Sequence, residues 1–263
     1  MVKYRFRPSK KMAQHFIIDE AVVQSLVRHA RLKPADRVLE IGCGTGFLTR
    51  ELQKQCHVLG VELDDDLFGL LENELPKENL ELFHANFLEL DGLDYNKVVS
   101  LPPYTISAGI MLRIFAHGFD RAVLVFQREF CEKLLAEPGF REYNALSVLT
   151  AYHCSAKLAG DVYSNSFFPN PKAVSSTIVL ESEKRFGPAK NEALFTEFLR
   201  AVFRFPNKNV VNALRFSGPF LAKGFGLDEK AFVEKAKSSG LPEEKVNLLE
   251  CEDFVEIFNA LAE

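Results

Sequence analysis

Three glycines set two residues apart, Gly42, Gly44 and Gly46, follow an apolar run from Val38 to Ile41 that carries a single acid, Glu40. A helix-like stretch from Phe47 to Gln53 comes next. In a strand, glycine turn and helix arranged this way, the turn has no side chains where a ligand approaches, and the helix start presents free amides and the positive end of its dipole. A nucleotide-like ligand fits, although a tight strand-to-helix connection alone uses the same glycines. The next apolar run adds a second acid, ending in Val61-Glu62-Leu63-Asp64, where Glu62 can accept hydrogen bonds from both hydroxyls of a ribose. Nicotinamide dinucleotides are held by the same logic, but their fingerprint is G-x-G-x-x-G. The spacing G-x-G-x-G after Glu40 favours S-adenosyl-L-methionine. A third run ends in His84-Ala85-Asn86-Phe87, where methyltransferases using this cofactor place an acid for the adenine amino group. Asn86 can accept one such hydrogen bond without charge assistance, or simply close the strand as a turn residue, and Phe87 is placed to pack on the adenine face.

Positioning these residues takes a sheet with covering helices. Short apolar runs at Arg37 to Ile41, Val58 to Leu63, Leu80 to His84, Lys97 to Leu101 and Ala122 to Phe126 alternate with helical patterns, which reads as a parallel α/β sheet. A helix from Glu20 to Ala30, capped by Asp19, leads into it. Beyond Phe126 come a helical segment ending near Pro138-Gly139, another from Tyr143, and two strand-like runs around a proline-punctuated loop from Phe167 to Pro171. From about Pro188 the pattern is wholly helical, with candidates at Leu194 to Phe203, Val210 to Phe216, Glu229 to Ser238 and Cys251 to Leu261. These patterns predict a sheet-bearing domain over 1–185 and a helical one over 186–263.

Bulk properties narrow the function classes. The chain has 263 residues, 47% of them hydrophobic, enough to bury a sizeable core. Its five cysteines lie far apart with no C-x-x-C pair, so neither a zinc site nor a disulfide framework is expected and a reducing cytoplasm fits. His29, His117 and His153 have no metal-ligand partners at useful spacing, so no metal is expected. No apolar run is long enough for a membrane span, and the basic N-terminal stretch is not followed by the apolar core of a secretion signal. The net charge of −4 argues against a generally basic nucleic-acid binder, but the distribution is uneven. Lys3, Arg5, Arg7, Lys10 and Lys11 precede every acid, with Tyr4 and Phe6 interleaved, and form either an RNA-contacting arm or a solvated terminus.

The segment Gln14-His15-Phe16-Ile17-Ile18-Asp19, the run from Val38 to Thr49 (V-L-E-I-G-C-G-T-G-F-L-T) and V-E-L-D-D-D-L from Val61 together resemble the ribosomal RNA adenine dimethylases. Downstream blocks agree in order: Gln127-Arg128-Glu129, Pro138-Gly139, Phe167-Phe168-Pro169-Asn170-Pro171-Lys172 with Ser175, and Lys208 with Asn212-Ala213-Leu214. The resemblance implies a Rossmann-like methyltransferase sheet with a small all-helical C-terminal domain. Its implied activity is dimethylation of two adjacent adenosines near the 3′ end of small-subunit ribosomal RNA, on the immature small subunit, by a cytoplasmic monomer. It places Gln14, His15 and Ile17 at the cofactor and Lys172 and Lys208 at the RNA.

A fourth family motif, N-L-P-Y or N-P-P-Y, holds the target adenine: the Asn and a backbone carbonyl accept both amino hydrogens, and the Tyr stacks on the extruded base. This chain reads Leu101-Pro102-Pro103-Tyr104, so Leu101 stands at the Asn position. The Pro102 carbonyl, the Tyr104 ring and Phe167 on the other face remain. Loss of one preorganised acceptor costs on the order of a hundredfold in rate, which opens the alternative of a weakly active or inactive assembly factor. Ser100 is adjacent, and Asn96 precedes the strand; neither offers an evident replacement. Arg200, Arg204, Lys208 and Arg215 recur at intervals that form one basic helical face or ordinary solvated charges.

Overall fold

The computed structural model describes residues 15–262. Lys3, Arg5, Arg7, Lys10, Lys11 and Gln14 lie outside the described residues. Strand β1 (Phe16–Ile17) leads into helix α1 (Glu20–Ala30). The Asp19 carboxylate caps this helix by accepting from the Ala21 amide, and helical spacing buries Val23, Leu26, Val27 and Ala30. The alternating segment then forms β2 (Arg37–Ile41), α2 (Phe47–Leu52), β3 (His57–Glu62), α3 (Asp65–Glu74), β4 (Leu80–His84), β5 (Lys97–Ser100), α4 (Ser107–His117) and β6 (Arg121–Gln127). Helices α5 (Arg128–Leu134) and α6 (Ala145–His153) precede β7 (Cys154–Val162), β8 (Phe167–Phe168) and β9 (Ser175–Ser182).

Seven strands form one sheet in the order β4-β3-β2-β5-β6-β9-β7. The first five in that order pair in parallel. The parallel reading of the five runs up to Phe126 holds, and the β6–β9 pair beyond them is antiparallel. Central strands are buried on both faces, including every residue of β5 and Arg121 to Phe126 of β6, as a sheet covered on both sides requires.

Two polar devices register the centre of this sheet. The fully buried Ser100 donates through Oγ to the Ile41 carbonyl at 2.6 Å and accepts from the Ile41 amide at 3.3 Å, tying the ends of β5 and β2. At the opposite end, Lys97 Nζ donates to the Arg31 carbonyl at 2.6 Å and lies 2.8 Å from the Asp36 carboxylate, both side chains being buried. Asn96 sits there too, donating to Asp36 and Asp120 and accepting from the Arg37 amide.

The chain forms two compact units. One holds the sheet and comprises the described residues to Cys131 together with Ala156–Ser182; the other comprises Glu132–Ser155 and the residues from Glu183 onward. Residues 132–155, expected from the sequence to belong with the sheet, thus cluster with the helical region. Side-chain contacts explain it: Tyr143 donates to the Leu249 carbonyl at 2.8 Å, and the Tyr152 ring packs 5.1 Å from Phe195. Helices α7 (Glu192–Val202), α8 (Val210–Leu221), α9 (Glu229–Ser238) and α10 (Cys251–Leu261) complete this unit around Phe195, Phe198, Phe232, Phe254 and Phe258. Asn191, Asn209 and Asp228 cap the first three. Helix α8 runs five residues past Phe216, through Pro219, because Ser217, Gly218 and Leu221 are buried. Among the described residues no helix is long and apolar enough to cross a membrane.

Lys97→Met leaves the Asp36 carboxylate buried without its cation and is expected to cost about 3–5 kcal/mol of stability, read from urea unfolding midpoints. Replacing both partners with apolar residues should recover most of that loss, whereas an equal loss in the double variant would mean that the pair itself supplies the stability and that an unpaired buried charge is not the cause.

Candidate active site

Parallel strands release the chain at one edge, and there the segments after β2, β3, β4 and β5 line a cavity of about 270 Å³. Gly42 and Gly44, Glu62 and Leu63, Asn86 and Leu88, and the run from Leu101 to Ile106 contribute to it, with His15, Phe16 and Phe167 from other parts of the fold. A smaller cavity shares His15, Phe16, Gly42, Gly44 and Leu101 and adds Ile17, Glu40 and the turn to Phe47. The structure therefore brings together all the described cofactor residues expected from the sequence except Phe87.

The glycine turn has little room for side chains. Gly42 and Gly44 both have positive φ, 76° and 57°. A Cβ at Gly42 would sit 3.3 Å from Pro103 Cδ, and one at Gly44 would sit 3.1 Å from the Phe16 ring. Beside this turn the Glu62 carboxylate accepts from the Gly44 amide at 2.8 Å through one oxygen and from the Leu63 and Asp64 amides at 2.9 and 3.0 Å through the other. Three of about four acceptor positions are thus filled. One ribose hydroxyl can take the fourth, and a second must share an oxygen with an amide. Burial raises the Glu62 pKa despite these bonds. Glu40 is more extreme: its side chain is buried, Oε2 has no hydrogen-bond partner among the described residues, and burial reinforced by the Glu62 charge pushes its pKa up to about 8.

Asn86 lines the cavity, but its side chain already works locally, accepting from the Leu88 amide at 3.1 Å and donating to Glu89 at 2.8 Å. That turn rotates Phe87 away from the cleft. Phe87 is buried, lines a separate cavity, and has the Arg113 guanidinium 5.6 Å above its ring. Leu88 lines the cleft instead. Sequence spacing missed Leu88, and it missed Phe16, Leu67, Thr105 and Ile106 as lining residues. Only the alternation of facing directions along the turns could have identified them, and no periodicity extends through such turns.

Leu101 is partly buried against the apolar core and lines both cavities. Neither Ser100, held by Ile41, nor Asn96, at the other end of β5, lines the cavity. The Pro102 carbonyl has no hydrogen-bond partner among the described residues. Tyr104 is half-buried, and its hydroxyl lies 2.7 Å from Ser175 Oγ at the start of β9, which fixes the ring by its far end. Phe167 is buried and pairs with Ile17 in the β1–β8 ladder. His15 Nδ1 lies 2.7 Å from the Pro169 carbonyl, and Ser166 donates to Asp19 at 2.8 Å, so the segments around His15 and Phe167 are stitched together. Lys172 and Lys208 are exposed and line neither cavity.

A model of the ribosomal RNA adenine dimethylase family matches residues 5–263. The chain belongs to the ribosomal RNA adenine dimethylase family. A relative from Thermococcus gammatolerans named "Probable ribosomal RNA small subunit methyltransferase A" is 33% identical over 97% of this chain and 90% of its own length. One of the same name from Methanopyrus kandleri is 38% identical over 82% and 79%. The crystal structure of a dimethyladenosine transferase from Plasmodium falciparum shares the fold, with a TM-score of 0.79, 23% identity, and coverage of 92% of this chain and 95% of that one. Both curated relatives are named as methyltransferases, so a non-methylating assembly factor has no support from them. For a dimethylase-family chain the cleft departs from the family pattern at Leu101 alone among the four residues of the Leu101-Pro102-Pro103-Tyr104 motif.

Glu40 makes stability depend on pH with a defined sign. An acid raised from its ordinary value near 4.5 to about 8 keeps in the folded state a proton that the unfolded chain has lost. Stability therefore falls as pH rises through that window and levels off above it. Glu40→Gln should flatten the decline, leaving the slope due to Glu62. Melting temperatures of the ligand-free protein across the window test this, and parallel curves for the two proteins would refute it.

Proposed function

We propose that this chain transfers methyl groups from S-adenosyl-L-methionine to the N6 amino groups of two adjacent adenosines near the 3′ end of small-subunit ribosomal RNA. The observation that carries the reading is a single cavity lined both by the glycine turn with Glu62 and by Pro102, Tyr104 and Phe167. The cofactor supplies an electrophilic methyl group when bound. Two features fit it: a glycine cradle that any Cβ would crowd, and the Glu40 oxygen without a partner among the described residues, an acceptor for a cationic or hydrogen-bonding ligand group. Gln14, His15, Ile17, Gly42, Gly44, Leu63, Asn86 and Leu101 join Glu40 and Glu62 in holding it, with Leu88 taking the role first expected of Phe87.

Tyr104 and Phe167 hold the extruded adenine, and the Ser175 hydroxyl keeps the Tyr104 ring from rotating out of the cleft. The Pro102 carbonyl accepts one amino hydrogen and draws the nitrogen lone pair out of conjugation. Leu101 supplies apolar contact and no second acceptor, so the nitrogen is activated from one side. The sheet-bearing unit does the chemistry. Lys172, the basic arm from Lys3 to Lys11 and Lys208 of the helical unit contact the RNA, the substrate being the immature small subunit and the enzyme a cytoplasmic monomer.

Labelled methyl transfer to unmethylated small subunits is expected to yield dimethyladenosine, and the wild type's failure to do so would overturn the proposal. Leu101→Asn, by restoring the acceptor, should raise the single-turnover rate by up to about a hundredfold. Tyr104→Ala should weaken RNA methylation while cofactor affinity, followed by thermal shift, stays within about threefold; equal loss of both would contradict the division of roles.

A further inference from the structure

Helix α8 presents two large rings to solvent, Phe216 at 42% and Phe220 at 60% exposure. Four residues apart, they share one helix face. Cations lie over both: the Arg204 guanidinium is 4.4 Å from the Phe220 ring centroid and that of Arg215 is 5.5 Å from Phe216. Phe205, in the turn before α8, extends the surface with its ring 5.2 Å from Phe216. Arg200, Arg204, Lys208 and Arg215 make no ion pair among the described residues, whereas Arg37, Arg50 and Arg121 of the sheet-bearing unit all do.

We infer that Phe216 and Phe220, flanked by Arg204 and Arg215, form a stacking platform on the helical unit for the bases of unpaired RNA. The inference rests on the reading of this chain as an RNA-directed methyltransferase and adds where, and in what form, the helical unit takes the RNA. Guanidinium groups without carboxylate partners attract a polyanion, and rings interleaved with them offer apolar faces of the size of a base. A duplex hides its base faces in the stack, so only an unpaired strand uses the rings as well as the charges. An aliphatic protein partner would leave the arginines without counter-charges.

Fluorescence anisotropy of the full chain with a labelled, unstructured ten-nucleotide RNA tests the platform, with a duplex of equal length as reference. Phe216→Ala and Phe220→Ala are each expected to weaken single-strand binding by roughly fivefold to a hundredfold, with less than about a twofold change for the duplex, where charge dominates. Phe220→Trp should restore binding and Phe220→Leu should not, separating stacking from apolar bulk. Melting curves show whether each variant is folded, and the Trp and Leu variants keep the test decisive if an alanine variant is not. Unchanged single-strand affinity, or equal losses for both RNAs, overturns the inference and leaves the patch to a protein contact or to plain charge. Methyl transfer is scored separately, so a wild type that binds unpaired RNA through Phe220 but transfers no methyl would sink the functional reading and spare the platform.

Discussion

The cleft depends on one constraint: the parallel strands β2, β3, β4 and β5 must stop in step. Each releases its chain at the same edge of the sheet, and a slip by one residue would turn Glu40, Glu62 or Leu101 to the opposite face. Step is kept from both ends. Ser100 exchanges hydrogen bonds with Ile41 beside the cleft, while Lys97, held by Asp36 and the Arg31 carbonyl, anchors the far end of the same strand. A buried ion pair is a weak source of net stability, but its geometry is strict, and it tolerates only one placement of β5 against β2.

A buried polar network closes the far end of the sheet, and one carboxyl oxygen at the cleft is left over. Asp36, Asn96 and Lys97 bond one another and Glu62 accepts from three amides, whereas Glu40 Oε2 lies buried without a partner among the described residues. An unsatisfied buried carboxyl costs the free protein stability. A ligand group bonded to Glu40 would offset that cost, at the same edge as the glycine turn.

Leu101 puts an apolar side chain in the cleft where the family motif has an Asn. Its side chain lines both cavities and packs on the core, beside Pro102, Tyr104 and Phe167 in the larger one. In the proposed reaction clasping and activation are thereby separated: stacking would use the rings, and activation of the amino nitrogen would need acceptors, of which the backbone supplies one.

Local signals in the sequence determined the strands, most helices and the chemistry-bearing turns. Asp19 before an amphipathic run specifies the start of α1, alternation of apolar runs with helical patterns specifies the parallel core, and glycine spacing with Glu40 and Glu62 specifies the ligand edge, because each depends on neighbours within a few residues. Phe87 marks the limit of such signals: beside the Asn86 side-chain turn it lines a separate cavity, and Leu88 lines the cleft. Tertiary structure alone decided what joins distant segments: the antiparallel entry of β9, the pairing of Phe16 and Ile17 with Phe168 and Phe167, the Tyr104–Ser175 contact, and the grouping of residues 132–155 with the helices. These contacts link residues tens to more than a hundred positions apart. No periodicity or cap encodes such a pairing, because it follows from which surfaces remain to be buried once the local elements exist.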